Sequence, residues 1–144
     1  PVPFDNPGGI YTFKVMFKWA KRISRTIELK SEQTLEDLHH AIQHAIHWDS
    51  DHLYSFFMNG EDWDARYAFA SPSEEDTSAW TDEAIIGELG LTLKHKFLYL
   101  FDYGDGHEFE IQVVGIHPHA DSGKYPRVVD SQEKSPEQYP SSEE

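Results

Sequence analysis

The chain has no cysteine. That removes disulfides, thiolate-bound zinc and thiol catalysis together, and it fits a reducing compartment. No apolar run approaches the roughly 18 residues of a membrane span, and no signal-peptide pattern is read. A cytoplasmic protein with no membrane partner is therefore expected. Basic residues are scarce: 12 Lys and Arg stand against 26 Asp and Glu, a formal net charge of −14. Such a surface repels a phosphate backbone, so general nucleic-acid binding is not expected. The sequence contains no Walker-type loop, no Gly-x-Gly-x-x-Gly and no Gly-x-Ser-x-Gly. The common phosphate, dinucleotide and serine-hydrolase signatures are thus missing, and no cofactor is expected.

Aromatic residues, by contrast, make up 14% of the 144 residues, enough for an aromatic-rich core in one domain. Phe97–Tyr103 is apolar on both faces, as a central strand is. His107–Val113 alternates, with Phe109, Ile111 and Val113 on one side and Glu108, Glu110 and Gln112 on the other, the pattern of a half-buried strand. Between them, Asp102-Tyr103-Gly104-Asp105-Gly106 supplies the positive-φ positions of a tight hairpin. This hairpin is expected at the centre of the sheet, with Gly104 or Gly106 left-handed and Asp102 or Asp105 bonding turn amides.

Residues 1–9 read as an irregular lead-in. Tyr11, Phe13, Val15, Phe17 and Trp19 alternate with polar residues and predict a strand with one greasy face. A turn at Ala20–Arg22 leads to a second strand, Ile23–Lys30, with Arg25 on the inward side. Thr34 is a good N-cap, and Leu35–His47 carries apolar residues at helical spacing. A strand at Leu53–Met58 turns at Asn59-Gly60 into another at Glu61–Ala70. A loop over Ser71–Asp82, a short helix over Asp82–Leu89, and a further ordered piece near Tyr125–Val129 complete residues 10–129. Asp130–Glu144 is Ser, Glu, Gln and Pro, and a disordered acidic tail is expected there. The fold class is α+β: a curved, mostly antiparallel sheet of about five or six strands with one main amphipathic helix packed on it, in a β-grasp-like order with extensions.

Two groups of residues carry candidate chemistry. Asp49, Asp51 and His52 follow the helix, and Asp102, Asp105 and His107 sit at the hairpin turn. If the two converge, Asp49, His52, Asp102, Asp105 and His107 form an acid–base or metal site; the plain alternative is Asp in local turn bonds. His39, His40, His44 and His47 read as lying opposite the apolar helix stripe. Imidazoles one turn apart can share a metal, but a solvated polar face is the preferred reading and no metal is expected. A basic hairpin, Lys18, Lys21, Arg22 and Arg25, is a candidate binding surface, or else docks the chain's own acidic segments.

Three stretches carry a family resemblance: Ile23–Leu29 with Arg25, leading into Thr34-Leu35-x-x-Leu38-His39; Trp48-Asp49-x-x-His52-Leu53 with Phe56; and, most specific, Phe97-Leu98-Tyr99-Leu100-Phe101-Asp102-Tyr103-Gly104-Asp105. In these the chain resembles the plasmid pRiA4b ORF-3-like family, also described as a passenger-type protein of bacterial insertion elements. Tyr125-Pro126-Arg127 is a weaker fourth match. The resemblance implies an α+β fold with a curved, largely antiparallel sheet, and it implies no established reaction. His107 and Phe109 stand where the family often has Trp and His. Val128 and Ser135-Pro136-Glu137 stand where it often has cysteine-bearing segments. A role built on those residues is not carried over.

The leading expectation is a non-enzymatic interaction module with an unknown protein or peptide partner, in a plasmid or mobile-element setting. The alternatives are a hydrolase or metal-dependent enzyme using His52 and the turn aspartates, and a DNA-transaction accessory binding through the basic hairpin. One concave pocket joining the candidate residues would favour the enzyme.

Overall fold

The computed structural model describes residues 4–60, 65–72 and 79–139. They form strands β1 (Ile10–Phe17) and β2 (Ala20–Lys30), helix α1 (Leu35–Ile46), and strands β3 (Tyr54–Phe57), β4 (Ala68–Ala70), β5 (Lys96–Phe101), β6 (His107–His117) and β7 (Arg127–Gln132). The strands make one sheet in the order β4-β3-β5-β6-β1-β2-β7, and every neighbouring pair is antiparallel. No helix of the described residues is long and apolar enough to cross a membrane.

The expected central hairpin is β5–β6, with Phe97 opposite Ile111 and Tyr99 opposite Phe109. Its turn places Gly106 at φ 67 and Asp102 at φ 62, and Asp102 Oδ1 accepts from the Asp105 amide at 3.4 Å. Gly106, not Gly104, is the left-handed glycine. Nothing lies within 4 Å of a Cβ built there, so a side chain would suffer only the backbone penalty. Gly106→Ala is expected to cost about 1 kcal/mol in urea unfolding and Gly104→Ala much less. Equal midpoints for both variants would show the turn to be undemanding.

Helix α1 is opened by a reciprocal cap: the Thr34 hydroxyl accepts from the Asp37 amide at 3.2 Å, and the Asp37 carboxylate accepts from the Thr34 amide at 2.9 Å. Leu35, Leu38, Ile42 and Ile46 pack into one cluster with Phe13, Ile27, Leu29, Tyr99, Phe101 and Phe109 from the sheet. On the opposite sheet face Phe57, Leu98 and Leu100 form a smaller cluster.

Several expectations change. The sheet has seven strands rather than five or six, because short β4 and β7 form its edges. A β-grasp sheet has a parallel central pair; here β1 meets β6 antiparallel, so that order does not form. The chain turns at Lys18-Trp19, with β2 starting at Ala20, and this leaves Trp19 81% exposed instead of on the greasy face. The short helix expected over Asp82–Leu89 is a single 3-10 turn, Ile86–Glu88. Its backbone is claimed from outside: the Ile86 amide donates to Gln33 O and the Gly87 amide to Ser31 O, both at 2.8 Å. Of the strand expected at Glu61–Ala70, residues 61–64 lie outside the described residues, and the rest is a 3-10 turn running into β4. Residues 73–78 of the expected loop also lie outside.

The segment expected to be a disordered tail is placed through Tyr139. Strand β7 runs to Gln132. The Ser135 hydroxyl then donates to Ile46 O at 3.1 Å, and the Trp48 indole to Pro136 O at 3.0 Å. Gln138 accepts from the Asp49 amide at 2.6 Å and donates to Asp49 O at 3.0 Å. Polar bonds hold this segment, and a reading based on apolar content does not register them. Residues 140–144 lie outside the described residues.

Candidate functional site

The helix end and the hairpin turn do converge. Helix α1 closes on His47 in the left-handed region at φ 61, which swings Trp48 back under the sheet end. Residues 49–53 then cross to β3, and the Asp102 amide donates to Leu53 O at 2.8 Å, tying this crossing to the hairpin turn. His52 Nδ1 lies 3.6 Å from Asp102 Oδ2, and its Nε2 meets the Tyr139 hydroxyl at 2.6 Å. His107 Nε2 lies 3.7 Å from Asp105 Oδ2. Trp48 presents its ring edge to His107 at 4.6 Å between centroids. Four of the five candidates, His52, Asp102, Asp105 and His107, thus share one end of the sheet. The Asp49 Oδ1 accepts from the Asp51 amide at 3.1 Å in a local turn, and its charge reaches the group through the Tyr139 hydroxyl, which desolvation and then Asp102, Asp49 and Asp105 together push up.

These residues do not line one pocket. His52 belongs to a cleft of about 380 Å³ between α1 and the approach to β3, with Glu36, His39, His40, Asp51 and Ser71. Asp105 and His107 line a separate depression beside Trp19 and Pro136.

The cleft rests on a buried network that the sequence reading placed wrongly. His39 is 2% exposed and Gln43 equally so, and neither faces solvent. The Gln43 amide donates to the Tyr99 oxygen at 3.0 Å, and His39 Nδ1 meets the same hydroxyl at 2.5 Å. The ring lies flat on Tyr54 at 3.6 Å and 5°, and the Tyr54 hydroxyl bonds Thr81 at 2.7 Å. Burial, aided by the neighbouring His40, pulls the His39 imidazole down to about 3, so it is neutral at neutral pH. Burial also pushes both tyrosine hydroxyls up. Ser71, 3% exposed, lines the cleft with its hydroxyl lacking any hydrogen-bond partner among the described residues. Nothing in the sequence marks Ser71. His39 was legible: at about 100° per residue it falls just past Ile46, roughly 20° beyond the arc of Leu38, Ile42, Leu35 and Ile46.

The other candidates separate. His40 pairs with Glu36 at 3.9 Å, and His44 and His47 stand with ring centroids 6.5 Å apart. The basic hairpin is largely internal. Lys18 pairs with Glu108 at 3.5 Å and Lys21 with Glu110 at 3.1 Å. Arg25 is 7% exposed and donates to the carbonyls of Ser24, Gln132 and Glu133 at 2.7, 3.2 and 2.9 Å. Of the four, only Arg22 is exposed without a carboxylate partner among the described residues.

A crystal structure of a protein of unknown function, MM3350 from Methanosarcina mazei Go1, matches with TM-score 0.70 and 26% identity, over 85% of this chain and 68% of that one. An uncharacterized protein, y4hQ, from Sinorhizobium fredii (strain NBRC 101917 / NGR234) is 32% identical over 87 residues. That alignment takes in 58% of this chain and 42% of the relative, so this chain spans less than half of that protein's length. The family model described as plasmid pRiA4b ORF-3-like protein matches residues 9–139, which span every strand and the helix placed above. The chain belongs to the plasmid pRiA4b ORF-3-like family.

Proposed function

We propose that the chain is a non-enzymatic binding domain, and that its cleft between α1 and β3 takes a cationic side chain from a basic segment of a protein partner. The observation that carries the reading is Ser71: a buried hydroxyl without a partner, in a cleft edged by the carboxylates of Glu36 and Asp51. An unpaired buried hydroxyl costs on the order of 1–3 kcal/mol. An ammonium or guanidinium donor would satisfy it while pairing with the carboxylates. The net charge of −14 steers a cationic partner inward.

The state of the imidazoles supports binding over catalysis. His52 has its Nε2 engaged by Tyr139 with Asp102 3.6 Å from its Nδ1, and His39 spends its Nδ1 on Tyr99. The pairing of Lys18 and Lys21 with β6 likewise weakens a DNA-binding reading of the hairpin. A plasmid or mobile-element accessory is a setting such a domain fits.

Fluorescence anisotropy with a lysine-rich peptide tests this. Binding that weakens with salt is expected, together with a loss of about tenfold, ~1.4 kcal/mol, in the Glu36→Gln/Asp51→Asn variant. A glutamate-rich peptide of equal length should not bind. Unchanged affinity in the double variant would refute the cleft as the site.

A further inference from the structure

The depression at the other side of His52 holds a second arrangement, separate from the cleft. Asp102, Asp105 and His107 each offer one ligand atom, and these atoms lie within 4.8 Å of one another. The hairpin turn supplies all three, so their spacing is set by the tightest connection in the sheet. His107 is wedged between the Trp48 edge and the Phe101 face. Its Nε2 is buried and has no hydrogen-bond partner among the described residues. Asp105 Oδ2 approaches it only to 3.7 Å, beyond hydrogen-bond reach. A buried nitrogen left without a partner needs an explanation, and here it lies beside two carboxylates that could share a cation with it.

We infer that Asp102, Asp105 and His107 bind one divalent transition-metal ion, with zinc the best-suited probe. One imidazole nitrogen and two carboxylate oxygens match zinc or manganese; calcium takes six to eight oxygens and no nitrogen. Metal–ligand bonds of about 2.0–2.2 Å put neighbouring ligand atoms roughly 3.4 Å apart, so the three groups must draw in by about an ångström. Asp105 can do this, since its side chain is 51% exposed. Asp102 is already steadied from behind by His52 at 3.6 Å, which is itself held by Tyr139. Imidazole–carboxylate contacts of this kind orient metal ligands in many sites. Three protein ligands leave positions open to water or to a partner's side chain. The assignment departs from the expectation of no metal, which preferred local turn bonds for these aspartates and a solvated face for the helix histidines.

Isothermal titration of the chelator-stripped full chain with zinc chloride at pH 7.5 tests the site. One equivalent is expected to bind with a micromolar or tighter Kd, and Asp105→Asn and His107→Ala should each weaken it at least tenfold. The His40→Ala/His44→Ala variant, which removes the exposed helix pair, should bind as the unaltered chain does. Asp105 is a surface residue, so its variant should keep the metal-free melting temperature and lose only the rise that zinc produces. Absence of binding up to millimolar zinc overturns the inference. So does one-site binding that survives both turn variants, or that disappears with His40 and His44.

Discussion

Replacing Arg25 with alanine is expected to destabilise the fold by about 3 kcal/mol or more, roughly 10 °C in Tm for a domain of this size. The guanidinium lies under the edge of the sheet and donates to three carbonyls, two of them just where β7 ends. Removing it takes the charged donor from one buried carbonyl, that of Ser24, and from two part-buried ones at the end of β7; a hydrogen bond from a charged donor contributes about 1.5–3 kcal/mol. Alanine also leaves a cavity beside Ile23 and Ile27, its neighbours on the inward face of β2. Lysine should restore part of the loss, because one nitrogen, Nη1, makes all three contacts and an ammonium can take its place. Hydrogen exchange should quicken first in β7, whose end is held by Arg25 at Gln132 and Glu133. A cost below 1 kcal/mol in urea unfolding would mean that β7 is held by its ladder with β2 alone.

Acid should unfold this protein through His39. The native imidazole titrates at about 3, whereas in the unfolded chain it takes a proton near 6.5. Above both values neither state is protonated and the residue leaves stability independent of pH. As pH falls below the unfolded value, the unfolded state binds a proton that the native state refuses, so stability drops. The slope approaches about 1.4 kcal/mol per pH unit, which amounts to roughly 2–3 kcal/mol lost between pH 6.5 and 4.5. The loss continues until the native imidazole itself titrates. His39→Gln keeps a polar partner for Tyr99 and cannot titrate; it should be less stable at pH 7 but should lack this part of the acid slope. If the variant and the unaltered chain show parallel stability curves from pH 7 to 4.5, His39 is not buried as described. Carboxylate titration adds to the slope in both proteins and cancels in the comparison.

Much of the frame was legible because alternation and turn chemistry speak locally. The β1–β2 and β5–β6 hairpins, the Thr34 cap and the left-handed glycine before His107 were all set by neighbours within a few residues. What escaped depends on distant partners. Arg25 read as part of a basic surface because its three acceptors include carbonyls more than a hundred residues away. Residues 133–139 lack apolar content, and the Gln138–Asp49 and Trp48–Pro136 bonds cannot be anticipated from composition. His39 failed for a different reason. Counting Ala41 and Ala45 as apolar extended the stripe on the side away from His39, which lies just past Ile46 at its other edge. The convergence of His52 with Asp102 rested on topology, since it required β3 to lie beside β5. Four of the five candidates share one end of the sheet, and the Asp49 carboxylate closes a local turn.

The claim that the cleft is the working site is tested most directly by nitrogen-15 chemical-shift mapping of the full chain titrated with a lysine-rich peptide. The account predicts saturable shifts concentrated at Glu36, His40, Asp51, His52 and Ser71, with the tip of the β1–β2 hairpin and the β7 edge unmoved. Shifts confined to the hairpin tip or to β7, or no saturable shift at any residue, would contradict it.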